Sequence, residues 1–483
     1  MKVKSLIIAT ILIVLNGFFN LKTINLVVTL PEILFVFYFL AKKKSKEALF
    51  WHTIFFITSY GNIFTEDFLL ENNIESNLSF NYAMVNFHGL RLSLLITYII
   101  ILLQNSSKRI SLTARHTIFF KLYKFFLYCL SSGIILGLIG LLLLDYAYSH
   151  FFSYGYYMFF CFGFAWAYLN EYETSLKDDL YEMIPYIISI AVLFNFVCAI
   201  FGLKKNLIVL GSSSIDSYAY ILIPLLLFQR KKIPLLVVIG IQLYLTSLNT
   251  SGKHLYSLIF LFIATFILSF NKNISEKFGK ISMSKVRLLF IIIMASYPIL
   301  QQTMLSNAEE NESNLEWKMK NVESLTNFAM GQRNMTDVYN SPYIRLAEIS
   351  NIVYEDIRNP VYLFLGRGFG GYYQDELHLF SGYDLSLGAF SADQIRTGKF
   401  SSGHDSFVTI PMLNGFIGFF MMISLIITMC RKSSQNYLYL TSLMFLLLWF
   451  YFDILMGVIG VMLLYAAEHK VKKCINNEEN FVF

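Results

Sequence analysis

Charge is what this sequence has least of. Only 14% of its 483 residues are Asp, Glu, Lys or Arg, against about 25% in an average soluble domain. Hydrophobic residues make up 56% and aromatics 17%, and the mean hydropathy is +0.56. A chain of this length could form about three soluble domains, but so few charges cannot cover a water-soluble surface. Soluble enzyme folds, secreted disulfide scaffolds and disordered proteins are excluded. The apolar stretches are continuous rather than alternating, which also excludes an outer-membrane barrel.

Cysteine is scarce too. Four of the five, Cys129, Cys161, Cys198 and Cys430, lie in or beside apolar runs, and Cys474 lies near the C-terminus. They have no metal-ligand spacing, and the long polar segment holds none, so neither a zinc site nor a disulfide framework is expected. No Asp-x-Asp is present, which leaves a metal-bound nucleotide-sugar site unsupported. P-loop and ATPase signatures are missing. Ionisable residues inside the apolar runs are few, which counts against a transporter or proton pump. There is no internal repeat and no low-complexity tract.

What is there is a succession of apolar stretches, near residues 5–19, 24–41, 48–64, 86–104, 125–147, 151–169, 183–202, 212–229, 233–250, 254–270, 288–304, 405–429, 437–452 and 454–467. They predict an all-α polytopic membrane protein with about 14 transmembrane helices. Phe18, Phe19 and Asn20 make a poor cleavage site, so residues 5–19 read as an uncleaved first helix. The net charge of +6 marks cytoplasmic loops rather than nucleic-acid binding. Alternation from an inside N-terminus puts Lys42–Lys44, residues 105–124, Arg230–Lys232, residues 271–287, Arg431–Lys432 and the tail lysines inside. The acidic loop 65–85 falls outside. Two loops break the rule: Lys204 and Lys205 fall outside, and the acidic stretch 171–182 falls inside.

This gives a membrane bundle over 1–304, a large extracytoplasmic loop over 305–403, three further spans over 404–467, and a cytoplasmic tail over 468–483. The loop is too rich in Tyr, Phe and Ile to be a linker, and is expected to pack against the membrane helices. One loop helix is predicted from Ser341 and Pro342 to about Asn359, with Leu346, Ile349, Val353 and Ile357 on one stripe and Pro360 ending it. Residues 311–330 predict another.

On this topology several cationic groups converge on the outer face. Lys253 and His254 lie between spans nine and ten, Arg345 on the loop helix, Arg367 in Gly-Arg-Gly-Phe-Gly-Gly, and His404 at the mouth of the next span, followed by Asp405. Such a set suits a diphosphate, to which arginine binds in bidentate fashion and lysine as a point charge. Each residue also has a purely structural reading. Lys253 can snorkel to headgroups, His254 can pack at the interface, and Arg345 can pair with Glu348 at i+3. Arg367 can bind loop carbonyls or headgroups, His404 can be a plain helix-start residue, and Asp405 can cap the span. The glycine run 366–371 formally matches G-x-G-x-x-G, but without a βαβ context it reads as tight turns and close backbone approach.

Three pieces resemble the O-antigen polymerase and O-antigen ligase superfamily of C-type, lipid-linked glycosyltransferases. Leu245–Leu261 looks like that family's outer turn, Thr-x-Ser-Arg-Gly before an apolar helix, with Lys253 near the place of the family's Arg. Tyr343–Tyr373, with Arg345, Asn359-Pro360 and Gly366-Arg367-Gly368-Phe369-Gly370, looks like its Arg–helix–Pro–glycine stretch. His404–Phe420 looks like its His-Asn segment and following helix, with Asp405 replacing Asn. The resemblance implies a polymerase of undecaprenyl-diphosphate-linked oligosaccharide repeat units, making O-antigen, capsule or exopolysaccharide at the outer face of the bacterial cytoplasmic membrane. A ligase onto lipid A core or another acceptor is the alternative, and a lipid-linked oligosaccharide flippase is the less favoured third. It implies His404 and Arg345 as catalytic, with Lys253 beside Arg345 on the diphosphate. Arg367 is added there from its charge, and His254 and Asp405 are supporting residues. No metal or cofactor is expected. A flippase and a chain-length regulator are the expected protein partners.

Overall fold

The computed structural model describes residues 2–18, 25–59, 82–83, 85–87, 90–104, 112–200, 237–238, 241, 340–381, 385, 390–401, 403, 406–433, 436, 438–449 and 454–469. Among them the chain is mostly helical. Apart from residues 237–238 and 241, the four apolar stretches between 212 and 304 lie outside the described residues, as does the helix expected over 311–330. Except that the stretch 86–104 opens with a short strand pair before its helix, the other apolar stretches fall, where described, on helices. These are α1 (Lys2–Phe18), α2 (Asn25–Ala41), α3 (Ser45–Ser59), α4 (Leu92–Leu103), α5 (Leu112–Arg115), α6 (Ile118–Leu143), α7 (Tyr148–Asn170) and α8 (Leu176–Ile200). After the loop come α12 (Ser406–Ser433), α13 (Leu438–Trp449) and α14 (Ile454–Ala467). Two of them, α6 and α12, are long and apolar enough to cross a membrane, with 26 and 28 residues and mean hydropathies of 2.3 and 2.1. In lipid, which offers backbone groups no partner, helices are what such a sequence would form.

The helices alternate, so their connections gather at two ends. At one end Ser45 Oγ donates to Glu171 at 2.6 Å, and Lys46 Nζ stands 2.7 Å from Asp179. His469 pairs with Asp178, and its ring stacks on Tyr181. Glu468 accepts from the N–H groups of Ile118 and Phe119 at 3.1 and 3.4 Å. With Thr117, which accepts from Phe120 N at 3.1 Å, it satisfies the orphan donors that start α6. The acidic stretch 171–182, which fits the positive-inside rule poorly, thus lies with the basic segments because its carboxylates pair with them. An exposed basic collar surrounds this end: Lys42, Lys43, Lys44, Arg115, Lys121, Lys124, Arg431 and Lys432. The other end carries the turn after α6, where Asp145 pairs with Lys399 at 3.1 Å. The short antiparallel ladder β1 (Asn86–Phe87) with β2 (Leu90–Arg91) leads into α4. All residues of α14 are buried, as expected for a helix apolar on every side.

The loop folds over residues 340–401. It holds α9 (Asn340–Arg358), α10 (Pro360–Leu365), α11 (Ala392–Thr397), and an antiparallel ladder between β3 (Tyr373–Gln374) and β4 (Lys399–Phe400). Phe380, Phe390, Phe400 and Tyr373 form its aromatic core, with centroids 5.0–5.7 Å apart. Pro360 ends α9 as expected, but it also opens α10 at its first turn, with Asn359 Oδ1 accepting from Val361 N at 3.1 Å. That is proline's favoured helical position.

What fixes the loop to the apolar helices is a break in α12. Gly415 there has φ +63°, four residues after Pro411. The interruption leaves the carbonyls before it needing donors from elsewhere. Arg367 N donates to Met412 O and Gly368 N to Leu413 O, both at 2.9 Å. Tyr128 OH donates to Asn414 O at 3.1 Å, and Asn414 Nδ2 reaches Cys129 O and Ser132 Oγ, each at 3.1 Å. Phe369 N donates to Gly133 O on α6 at 2.8 Å, and its ring fills a notch left by Gly133 and Gly155. Gly366 has φ +80°, and a Cβ there would overlap the backbone of Leu413 and Asn414. Alanine at Gly366 combines a left-handed penalty of about 1–2 kcal/mol with that overlap. We expect Gly366→Ala to lower the unfolding midpoint in detergent markedly, whereas Gly398→Ala, which meets no neighbour, shows the left-handed penalty alone. Equal midpoints for the two variants would refute the backbone clamp.

Candidate functional site

The site grows from the two faces of α9. Its inner face is polar: Tyr343, Glu348, Asn351 and Asp356 are buried there with Ala347 and Ile352. Each polar group has a partner in the glycine run or in the segment after it. Tyr373 OH donates to Glu348 at 3.0 Å. Asn351 Nδ2 donates to Asp375 at 2.8 Å and Asn351 Oδ1 accepts from Leu377 N at 3.1 Å. Asp375 also accepts from the N–H groups of Leu379 and Phe380, each at 2.8 Å, and Tyr343 OH donates to Leu379 O at 2.7 Å.

Arg367 is the largest buried side chain of this set, with its side chain 1% exposed. Its Nη1 donates to Glu355 and to Tyr372 O, and its Nη2 to Asp356 at 2.7 Å. The guanidinium also lies 5.2 Å from the centre of the Tyr362 ring, while Gln374 N donates to Glu355 at 2.6 Å. Burial alone would lower the arginine's pKa, but Glu355 and Asp356 together raise it. Burial pushes both carboxyls above their usual range, with Arg367 only partly pulling them back. One cation set against two carboxylates leaves no positive charge over for an anionic ligand. The structure thus places Arg367 as a buried tie between the glycine run and α9.

Arg345 stands differently. It is half-buried, one turn before Glu348 and Ile349. Glu348, a surface partner for Arg345 in the sequence, is fully buried. On the same side of α9, Ile349, Ile352 and Val353 line an apolar groove of about 310 Å³, closed by Leu363 of α10 and by Phe407 and Phe419 of α12. Asp356, already held by Arg367, supplies the groove's carboxylate. Lys253, His254, His404 and Asp405 lie outside the described residues. His404 and Asp405 directly precede Ser406, where α12 begins.

Several members were not foreseen. Glu355, Asp356 and Asp375 lie on no recognised motif. The signal for the first two is an acidic pair at the end of the helix preceding Gly-Arg-Gly. Lys399, over the Tyr372 ring at 4.8 Å, was also missed. A second polar group lies within the helices: His52 contacts Tyr82 OH at 2.7 Å and Thr97 Oγ1 at 2.8 Å and stacks on Phe164, with Glu32 buried nearby on α2. Among the described residues no cluster of His, Cys, Asp or Glu could hold a metal ion.

No family model matches the chain, and neither a curated protein nor a solved structure does.

Removing one partner from a buried charge network costs about 3–5 kcal/mol. Arg367→Met should therefore destabilise the fold by about that much at pH 7, read as a lowered unfolding midpoint in detergent. The carboxyls' folded-state pKa values stand above their unfolded ones, so their contribution is complete below the unfolded pKa and lost as pH rises through the folded one. Loss of Arg367 raises them further. The gap between variant and wild type should thus narrow on acidification towards pH 5, and adding Glu355→Gln should narrow it at pH 7. An Arg367→Met protein as stable as wild type at pH 7 would contradict the tie.

Proposed function

We propose that this chain polymerises oligosaccharide repeat units carried on undecaprenyl diphosphate. It would work at the outer face of a bacterial cytoplasmic membrane, with both termini on the cytoplasmic side. The observation that carries the reading is the pairing of a cation with an apolar groove. Arg345 stands one turn from residues that line a groove between the loop and a helix long enough to cross the membrane. A polyprenyl diphosphate is a ligand of that form, an anionic head on a hydrocarbon tail. The basic collar at the opposite end of the bundle supports placing this end outside.

In the proposed reaction an acceptor sugar hydroxyl attacks the anomeric carbon of the lipid-linked glycan. A glycosidic bond forms, and the anomeric C–O bond to the diphosphate breaks. The leaving undecaprenyl diphosphate keeps the electron pair. Arg345, with Lys253, stabilises the charge growing on the leaving oxygens. His404 takes the proton of the attacking hydroxyl, a role suited to a group titrating near neutrality. His254 and Asp405 are placed as supporting groups. Arg367 acts at one remove, by fixing α9 and so Arg345.

The test is the polysaccharide ladder of cells lacking the chain and complemented with wild type, Arg345→Ala or His404→Ala, with membrane levels checked by blotting. Removing a transition-state cation or a general base costs roughly a hundredfold or more in rate. Both variants should leave a single repeat unit on the acceptor at normal protein level. Long chains accumulating on the lipid carrier would instead make the protein a ligase. A normal ladder from both variants would sink the assignment and favour a lipid-linked oligosaccharide flippase.

A further inference from the structure

The sequence predicts an apolar stripe on α9, and helices of folded proteins ordinarily turn such a stripe inward. Here it faces out. Ile349, Val353 and Ile357 are 42%, 41% and 66% exposed, while Glu348, Asn351 and Asp356 are buried. The exposed run continues through Val361 and Phe364 of α10, at 52% and 54%. We propose that α9 and α10 are seated in the bilayer leaflet at this end of the bundle, with this stripe against lipid.

Three observations select lipid as the occupant. The stripe is continuous with an apolar surface that already belongs to the membrane. The groove joins it to α12, whose Phe407, Ile417 and Phe420 are exposed in the same way at 39%, 39% and 65%, and α12 is long and apolar enough to span. Most polar groups of α9 turn the other way: Tyr343, Glu348, Asn351, Glu355 and Asp356 are all bonded inside the loop. The edge of the stripe is amphipathic. Arg358 lies over the Tyr354 ring, 3.8 Å from its centre, and reaches Glu376 at 2.9 Å, an aromatic and a long cation of the kind that sits at headgroup level. An apolar helix face with polar flanks settles at the headgroup–acyl boundary. This placement rests on the chain being a membrane protein and not on the reaction proposed above. Its consequence for that reaction is that Arg345, on the same helix, stands at headgroup depth, where a lipid-borne diphosphate reaches it without leaving the bilayer.

The experiment is spin labelling of Ile357→Cys and Phe364→Cys, with Arg396→Cys as control, in a background whose five cysteines are replaced. The proteins are reconstituted in phosphatidylethanolamine–phosphatidylglycerol vesicles. Arg396 is suitable because its side chain is 79% exposed and pairs with Asp393 one turn earlier on the same short helix. We expect frequent collisions with oxygen and few with a water-soluble nickel chelate at 357 and 364, and the reverse at 396. Frequent nickel collisions at 357 and 364 would show a water-facing surface and overturn the proposal. Rare collisions with both reagents would show that protein covers the stripe, and would overturn it equally. If the cysteine-free background loses its unfolding transition, Ile357→Trp in the otherwise unaltered chain replaces it. Acyl-brominated lipid should then quench more fluorescence than in the parent protein, and no added quenching would overturn the placement. None of these readings uses activity, so a failed ladder with lipid contact intact removes the reaction and leaves the surface.

Discussion

The break in α12 is the constraint on which the rest of the loop depends. A helix that stops at Gly415 inside an apolar bundle leaves carbonyls where no water can serve them, and each buried carbonyl left bare costs on the order of a kcal/mol or more. The donors come from Arg367 N and Gly368 N, which can approach only because glycines flank them. That docking sets where the Arg367 side chain starts. Its buried charge then needs counter-charges, and Glu355 and Asp356 supply them from the last turns of α9. The position of α9, and so of Arg345 and of the groove, follows from a backbone interruption three contacts away. The glycine run is read correctly as a means of close approach, though what it approaches is a helix backbone rather than a ligand.

Much of the architecture is legible in the sequence because long apolar runs favour helices, and the described runs fall on helices with shifts of a few residues. The loop helix starts and ends within about a turn of its expected bounds because proline signals both ends. What a single sequence does not carry is pairing across distance. Glu355 and Asp356 look like solvated surface until Arg367 is placed between them, and Glu468 gives no sign that it caps α6. The site is legible in its residue types and illegible in its partners. Arg345 and Arg367 are equivalent as cations in a motif, and only the fold separates them.

Of the two loops that break the positive-inside rule, Lys204 and Lys205 lie outside the described residues, and the acidic stretch 171–182 shows a related limit. The rule counts Lys and Arg near the ends of spans because those charges resist crossing. Acidic residues contribute little to it, so an acidic stretch on the basic side is no contradiction. Here Glu171, Asp178 and Asp179 meet Ser45, Lys46 and His469 in the folded state. The carboxylates thus knit together segments that the chain separates by up to 291 positions. Their placement is a matter of folding stability, and the rule concerns insertion.

The same distinction governs α9. Hydrophobic periodicity reports that two faces of a helix differ; it says nothing about which face meets the protein. In water the apolar face goes inward, because water is the competing environment. Beside a bilayer the competing environment is itself apolar, and a buried polar face costs nothing once every group on it is bonded. In the network of Glu348, Asn351, Asp356, Tyr373, Asp375 and Arg367 each side chain is bonded, with Arg367 Nε the one buried atom left bare, and the lipid contact proposed for the stripe would account for the reversed polarity. The carboxylates that make the inner face stable also consume the charge of Arg367. Arg345 lies on the same helix, half-buried and one turn from the residues that line the groove.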